Sequence, residues 1–259
     1  MKHALNRRTF CVSTLAMASA SHAQVSGLAD AINKAGRQRM LSQRMGKAWM
    51  SLGLGIEVES ARRVLNQSTT LFDRQLAELK AYAPVGEIRD TYLQLEAAWS
   101  SYKILLGAAP IQGQGKPLLE QADQMLALAH KGTVLYEQQS GKPGARLVNM
   151  AGRQRMLSQR MAQFYLASAW NIDSASGQRQ IAKAKAEFIP ALEVLRTAPE
   201  ATAEIMQELV LADAQWLFFD TSLKARENSP KTASDVFVTS ENLLQIMDRV
   251  TSLYARILG

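Results

Sequence analysis

Apolar residues recur at helical spacing along almost the whole chain. At about 100° per residue, Leu41, Met45, Trp49 and Leu52 share one face, and Leu157, Met161 and Tyr165 repeat it further on. No run of alternating β-branched residues argues for a sheet. Pro and Gly lie almost entirely between the periodic segments: at Ala83-Pro84-Val85-Gly86, Gly107 to Pro117, Ser140 to Gly144, Asn171 to Gly177, Ala198-Pro199 and Asn228 to Ser234. The pattern predicts an all-α protein of eight helices, arranged as two tandem antiparallel four-helix bundle modules over 24–141 and 145–259.

The division in two rests on a repeat. Ala35 to Met45 reads AGRQRMLSQRM, and Ala151 to Met161 reads the same eleven residues 116 positions later. Weaker echoes follow: Phe72, Leu76, Leu79 and Pro84 against Phe188, Leu192, Leu195 and Pro199, then Trp99 against Trp216 and Tyr136 against Tyr254. The rest of each half has drifted while this helix has not. Packing alone tolerates volume-conserving swaps such as Leu for Met, so a stricter requirement acts on the repeated helix.

Its faces locate that requirement. The Leu41 and Leu157 face is expected to bury within its own module. The opposite face carries Ile32, Gly36, Arg39, Met40, Gln43, Gly46 and Met50, matched by Gly152, Arg155, Met156, Gln159, Ala162 and Leu166. Glycine inside a helix costs about 1 kcal/mol relative to alanine, so Gly36 and Gly152 point to close approach of another backbone or a ligand. A third face holds Asn33, Arg37 and Arg44, with Asn149, Arg153 and Arg160 as equivalents, and reads as a solvated edge or as ion pairs within the module. Should the two copies meet about a pseudo-two-fold axis, Arg39 approaches Arg155. Two like charges at ~5 Å repel by roughly 3 kcal/mol at an effective dielectric near 20, and a small planar anion between the two guanidinium forks reverses the sign. The plainer alternative is a pair of interhelix arginines that cap carbonyls or meet acidic residues.

The first segment changes the expected compartment. MKHALNRRTFCVSTLAMASASHA has a basic start with Arg7 and Arg8, an apolar run from Phe10 to Ala20, and Ser21-His22-Ala23 as an A-x-A-like cleavage site, so residues 1–23 are predicted to be a signal peptide of the twin-arginine or general secretory type. The mature chain is expected to start at Gln24, in the periplasm. Removing Lys2, Arg7 and Arg8 leaves 27 basic against 23 acidic residues, a net charge of about +4. That charge is spread along helices without interleaved aromatic residues, which argues against nucleic acid. No apolar stretch reaches the ~18 residues of a membrane span. Cys11 is lost with the leader and His130 stands alone, so no metal, cofactor or nucleophile constellation is implied and no enzyme is expected.

Ile32-Asn33-Lys34-Ala35-Gly36-Arg37-Gln38-Arg39-Met40-Leu41-Ser42-Gln43-Arg44 resembles the periplasmic P-box of the NarX and NarQ nitrate/nitrite sensor kinases, and more closely the PilJ-type domain at the N-terminus of type IV pili methyl-accepting chemotaxis transducers. The matching residues are Gly36, Arg39, Met40, Ser42 and Arg44, and again Gly152, Arg155, Met156, Ser158 and Arg160. In the sensor kinases the first arginine of this motif contacts the ligand at a dimer interface between two first helices. Gln43 and Gln159 stand where those kinases usually have Tyr, and no kinase or signalling segment follows Gly259. The resemblance implies a four-helix sensory fold, in tandem. It further implies nitrate or nitrite as ligand on Arg39, Arg155, Gly36 and Gly152, supported by Met40, Met156, Gln43, Gln159, Arg44 and Arg160, and a membrane-bound signalling partner. The competing expectation is a structural or protein-interaction module with no small ligand.

Overall fold

The computed structural model describes residues 24–225 and 229–258; the signal peptide expected over 1–23 lies outside the described residues. Eight α-helices follow one another: α1 (Leu28–Leu54), α2 (Val58–Tyr82), α3 (Glu87–Gly107), α4 (Gly115–Ser140), α5 (Pro143–Ala169), α6 (Ser174–Thr197), α7 (Ala203–Lys224) and α8 (Pro230–Leu258), with one 3-10 turn at Gln112–Gln114. The described residues contain no strand.

Local chemistry sets the ends. Gly55, at φ 70°, closes α1 by donating its N–H to Leu52 O, while Ile56 N reaches back to Ser51 O, a left-handed C-terminal turn that glycine adopts without strain. This break between α1 and α2 is absent from the breaks read in the sequence. In the second half, Asp173 caps α6 by accepting from Ser176 N, and Thr202 caps α7 by accepting from Ile205 N. Pro143 sits in the first turn of α5, where its missing N–H leaves no bond unmade.

Two kinds of helix result. α2 buries one stripe, Ala61, Val64, Ser68, Phe72, Leu76 and Leu79, at the spacing of a helix lying on a core. α1 and α5 are buried on every side. α1 packs on α2 and α4, α5 packs on α6 and α8, and the most extensive contact in the molecule is between α1 and α5. α3 and α7 lie outside, against α4 and α8. The expectation of a solvated third face on the repeated helix is therefore corrected: α8 covers that side of α1, and α4 covers that side of α5.

The sequence echoes form equivalent contacts. Phe72 meets Trp99 in a tilted pair with ring centroids 4.3 Å apart, and Phe188 stacks on Trp216 at 4.6 Å. Tyr136 donates to Leu79 O, and Tyr254 to Leu195 O. Each fully buried phenylalanine contributes roughly 1.5–3 kcal/mol of transfer free energy. At the far end of the central pair, Gly53 leaves room for the Trp170 ring. A Cβ there would lie 2.0 Å from that ring, which also meets Trp49 at 5.6 Å.

Candidate functional site

The site lies where α1 and α5 cross. Gly36 and Gly152 let the helices and their side chains approach, and Arg39 and Arg155, one turn further on, turn back over them. A Cβ at Gly36 would sit 3.1 Å from Arg39 Nη2 and 3.5 Å from Arg155 Nη2; at Gly152 the same two distances recur with the arginines exchanged. The two guanidinium groups thus converge, and both are fully buried. Each reaches across the axis: Arg39 Nη2 donates to Asn149 O at 3.2 Å, and Arg155 Nη2 to Asn33 O at 3.1 Å. Neither Nε has a partner among the described residues.

The neighbouring residues of the repeat bond the helix backbones around these arginines. Ser42 and Ser158 donate to the carbonyls of Arg39 and Arg155 at 2.8 and 2.9 Å. Gln43 ties α1 to α4 through Ala122 O at 3.0 Å, and Gln159 ties α5 to α8 through Ser240 O at 2.9 Å. Met40 and Met156 are buried beside them.

The third-face arginines differ from expectation, because three of the four pair between halves rather than within a module. Arg37 donates to Asp248 on α8 at 2.8 Å, Arg44 to Glu241 on α8 at 2.5 Å, and Arg160 to Asp123 on α4 at 2.5 Å. Arg153 alone stays in its own half, bonded to Glu187 on α6. Nor do they all point away from the central pair: Arg37 shares Asp248 with Arg155, while Arg153 and Arg160 line one cavity with Arg39. A long arginine stem can bend out of the direction that helical spacing assigns to its Cβ.

Symmetry fails beside the two central arginines. Tyr136 and Tyr254 are 118 residues apart, and in that register Asp123 matches Glu241 while His130 matches Asp248. Arg155 Nη1 accordingly donates to the Asp248 carboxylate, whereas Arg39 Nη1 lies 3.2 Å from His130 Nδ1. An arginine can only donate, so Nδ1 accepts and the imidazole is neutral. Burial, with Arg39 and Arg153 adding to it, lowers His130 to about 4. Burial works to raise Asp248, yet Arg155 and Arg37 bring it down to about 2. Burial lowers Arg39 to about 9, reinforced by Arg153 and Arg155 and partly opposed by Glu137; burial lowers Arg155 too, to about 10, with Asp248 opposing the shift. Arg39 is thus a fully buried cation with no carboxylate within ion-pair distance among the described residues, as Arg155, Lys47 and Lys34 all have.

Beside Arg39 a cavity of about 250 Å³ opens between α4 and α5, with Asp123, His130, Arg153, Met156 and Arg160 on its walls. Asp248, Glu241, His130 and Asp123 were not singled out as site residues in the sequence; the Tyr136 and Tyr254 register was the signal that aligns them. Among the described residues no group of three His, Cys, Asp or Glu could hold a metal ion, and no helix is long and apolar enough to cross a membrane.

Neither the curated proteins nor the solved structures give a match to this chain. The family model described as type IV pili methyl-accepting chemotaxis transducer N-term, PilJ, matches residues 21–127 and again 137–236. With both halves of an eight-helix chain matched, and the repeated arginine helix central to each, the protein belongs to the PilJ family as a tandem pair of its N-terminal sensory domains.

Proposed function

We propose that this protein is an exported, periplasmic binding protein, not an enzyme, that takes up a small planar anion such as nitrate or nitrite between its two repeated arginine helices and reports occupancy to a membrane-bound signalling partner. The observation that carries the reading is the convergence of two fully buried guanidinium groups over Gly36 and Gly152. A buried cation without a counter-charge is unfavourable, and an oxyanion supplies that charge in the geometry a guanidinium fork prefers. The modules 24–141 and 145–259 act here as the two halves of one binding unit.

A thermal-shift screen of small anions on the mature chain tests this. Saturation at 100 times the dissociation constant should add about 2.7 kcal/mol of stability, for nitrate or nitrite and not for chloride or sulfate at equal ionic strength. One observation favours the other reading, a protein-interaction module: α7 leaves Val210, Leu217 and Phe218 more than half exposed. An unresponsive screen combined with capture of a partner through α7 would establish that reading instead.

A further inference from the structure

The two halves of the arginine pair are not equivalent, and Asp248 shows what each half accommodates. On the α8 side Oδ1 of its carboxylate accepts from both Arg155 and Arg37, one arginine from each copy of the repeat. By the 116-residue repeat the matching arginines on the α4 side are Arg39 and Arg153, and there the matching position is the neutral His130. We infer that the cavity between α4 and α5 holds one planar monoanion, bridged by Arg39 and Arg153 as Arg155 and Arg37 bridge the Asp248 carboxylate. The second half-site is filled by the protein itself. This rests on the small-anion reading above and deepens it, moving the anion off the pseudo-two-fold axis to one side.

Charge and shape agree. The cavity draws on Arg39, Arg153 and Arg160, while Arg153 is bonded to Glu187 and Arg160 to Asp123, so Arg39 is the one without an ion pair, with Glu137 acting on it only from beyond Asn149. A monoanion balances the Arg39 charge. A dianion would bring surplus negative charge against Asp123, whose carboxylate also lines the cavity. Leu126, Ala127 and Met156 give the cavity an apolar wall, so a short monocarboxylate shares with nitrate and nitrite what the Asp248 carboxylate offers on the other side: one negative charge on a planar group with an oxygen that both arginines can reach.

Calorimetric titration of the mature chain with nitrate, nitrite and acetate separately, with chloride and sulfate as controls, decides the matter. One equivalent is expected for at least one of the three planar anions, and which of them binds identifies the source. Arg153→Gln should weaken binding at least tenfold, while its counterpart Arg37→Gln should change it less than twofold. His130→Asp should place a carboxylate in the open half, abolish binding and raise the melting temperature in anion-free buffer. Equal losses in Arg37→Gln and Arg153→Gln would put the anion on the axis and overturn one-sidedness while leaving the small-anion reading standing. Two equivalents per chain would overturn it as well. Chloride or sulfate binding as tightly as the planar anions would remove the planar-monoanion assignment, and no binding of any of the three would overturn both readings together.

Discussion

Arg39 and Arg155 look alike in sequence and differ in what surrounds them. Arg155 is held by the Asp248 carboxylate and Asn33 O, whereas Arg39 has only His130 Nδ1 and Asn149 O. Replacing each by methionine, which keeps much of the stem, should therefore separate them. Arg155→Met removes a charge-assisted hydrogen bond and leaves Asp248 to Arg37 alone, an expected loss of about 1.5–3 kcal/mol. Arg39→Met removes a buried cation that has no carboxylate, and in anion-free buffer the change should be neutral or slightly stabilising, within about 1 kcal/mol. Urea denaturation of both variants checks this, and a large loss in Arg39→Met would show the guanidinium to be structural. Repulsion between two converging cations would by itself make either substitution neutral or stabilising without ligand, and Asp248 removes that expectation for Arg155.

Between elements, the halves are joined by α1 against α5 and, beside it, by α8 against α1 and α4 against α5, and these two flanking joints are unequal. Glu241 receives Arg44 and the fully buried Lys47, while Asp123 receives Arg160 from a site nearly half exposed. Glu241→Ala leaves Lys47 with Ser240 as its remaining partner and should cost about 3–5 kcal/mol. Asp123→Ala removes a carboxylate that is half open to solvent and leaves Arg160 bonded to Gln43 and Gln180, so it should cost less, about 1 kcal/mol. The same clamp sets an acid limit. Burial works to raise the Glu241 carboxyl, but Lys47 and Arg44 outweigh it and hold it at about 2 instead of 4.5. Its contribution is complete above about pH 4.5 and is lost as pH falls through 2, so Glu241→Gln should flatten the stability curve across that window. The helices themselves were legible because Gly and Pro punctuate them. The α1 to α2 break escaped because Gly53-Leu54-Gly55-Ile56 is apolar and helix-like in spacing, although its equivalent at Asn171 to Gly177 is polar and plain. Arg39, Arg155 and their glycines were legible because eleven residues repeat without change. Their partners were not, because the offset between halves grows from 116 at the repeated helix to 118 at Tyr136 and Tyr254, and spacing within one helix carries no information about which helix faces it.

For the molecule as a whole, one chain contains what two copies of a single module would form, with α1 against α5 at the centre. Cutting it into residues 24–141 and 142–258 should expose that central face on each half and drive pairing with a second copy of itself. The outcomes should differ between the halves. Two copies of the second half bring Arg155 against Arg155, each with Asp248 from its own α8, and every buried guanidinium keeps a carboxylate. That fragment should dimerise in anion-free buffer. Two copies of the first half bring Arg39 against Arg39, each with His130 and no carboxylate, so two buried like charges oppose the contact by a few kcal/mol at an effective dielectric near 20. That fragment should stay monomeric without anion and dimerise when the planar anion bound by the intact chain is added. Sedimentation equilibrium on the two fragments reads both states directly. If the first half dimerises as tightly as the second in anion-free buffer, Arg39 needs no counter-charge and the argument for an anion at this interface loses its physical basis; if His130→Asp confers anion-free pairing on the first half, the exchange of histidine for aspartate accounts for the difference between the two fragments.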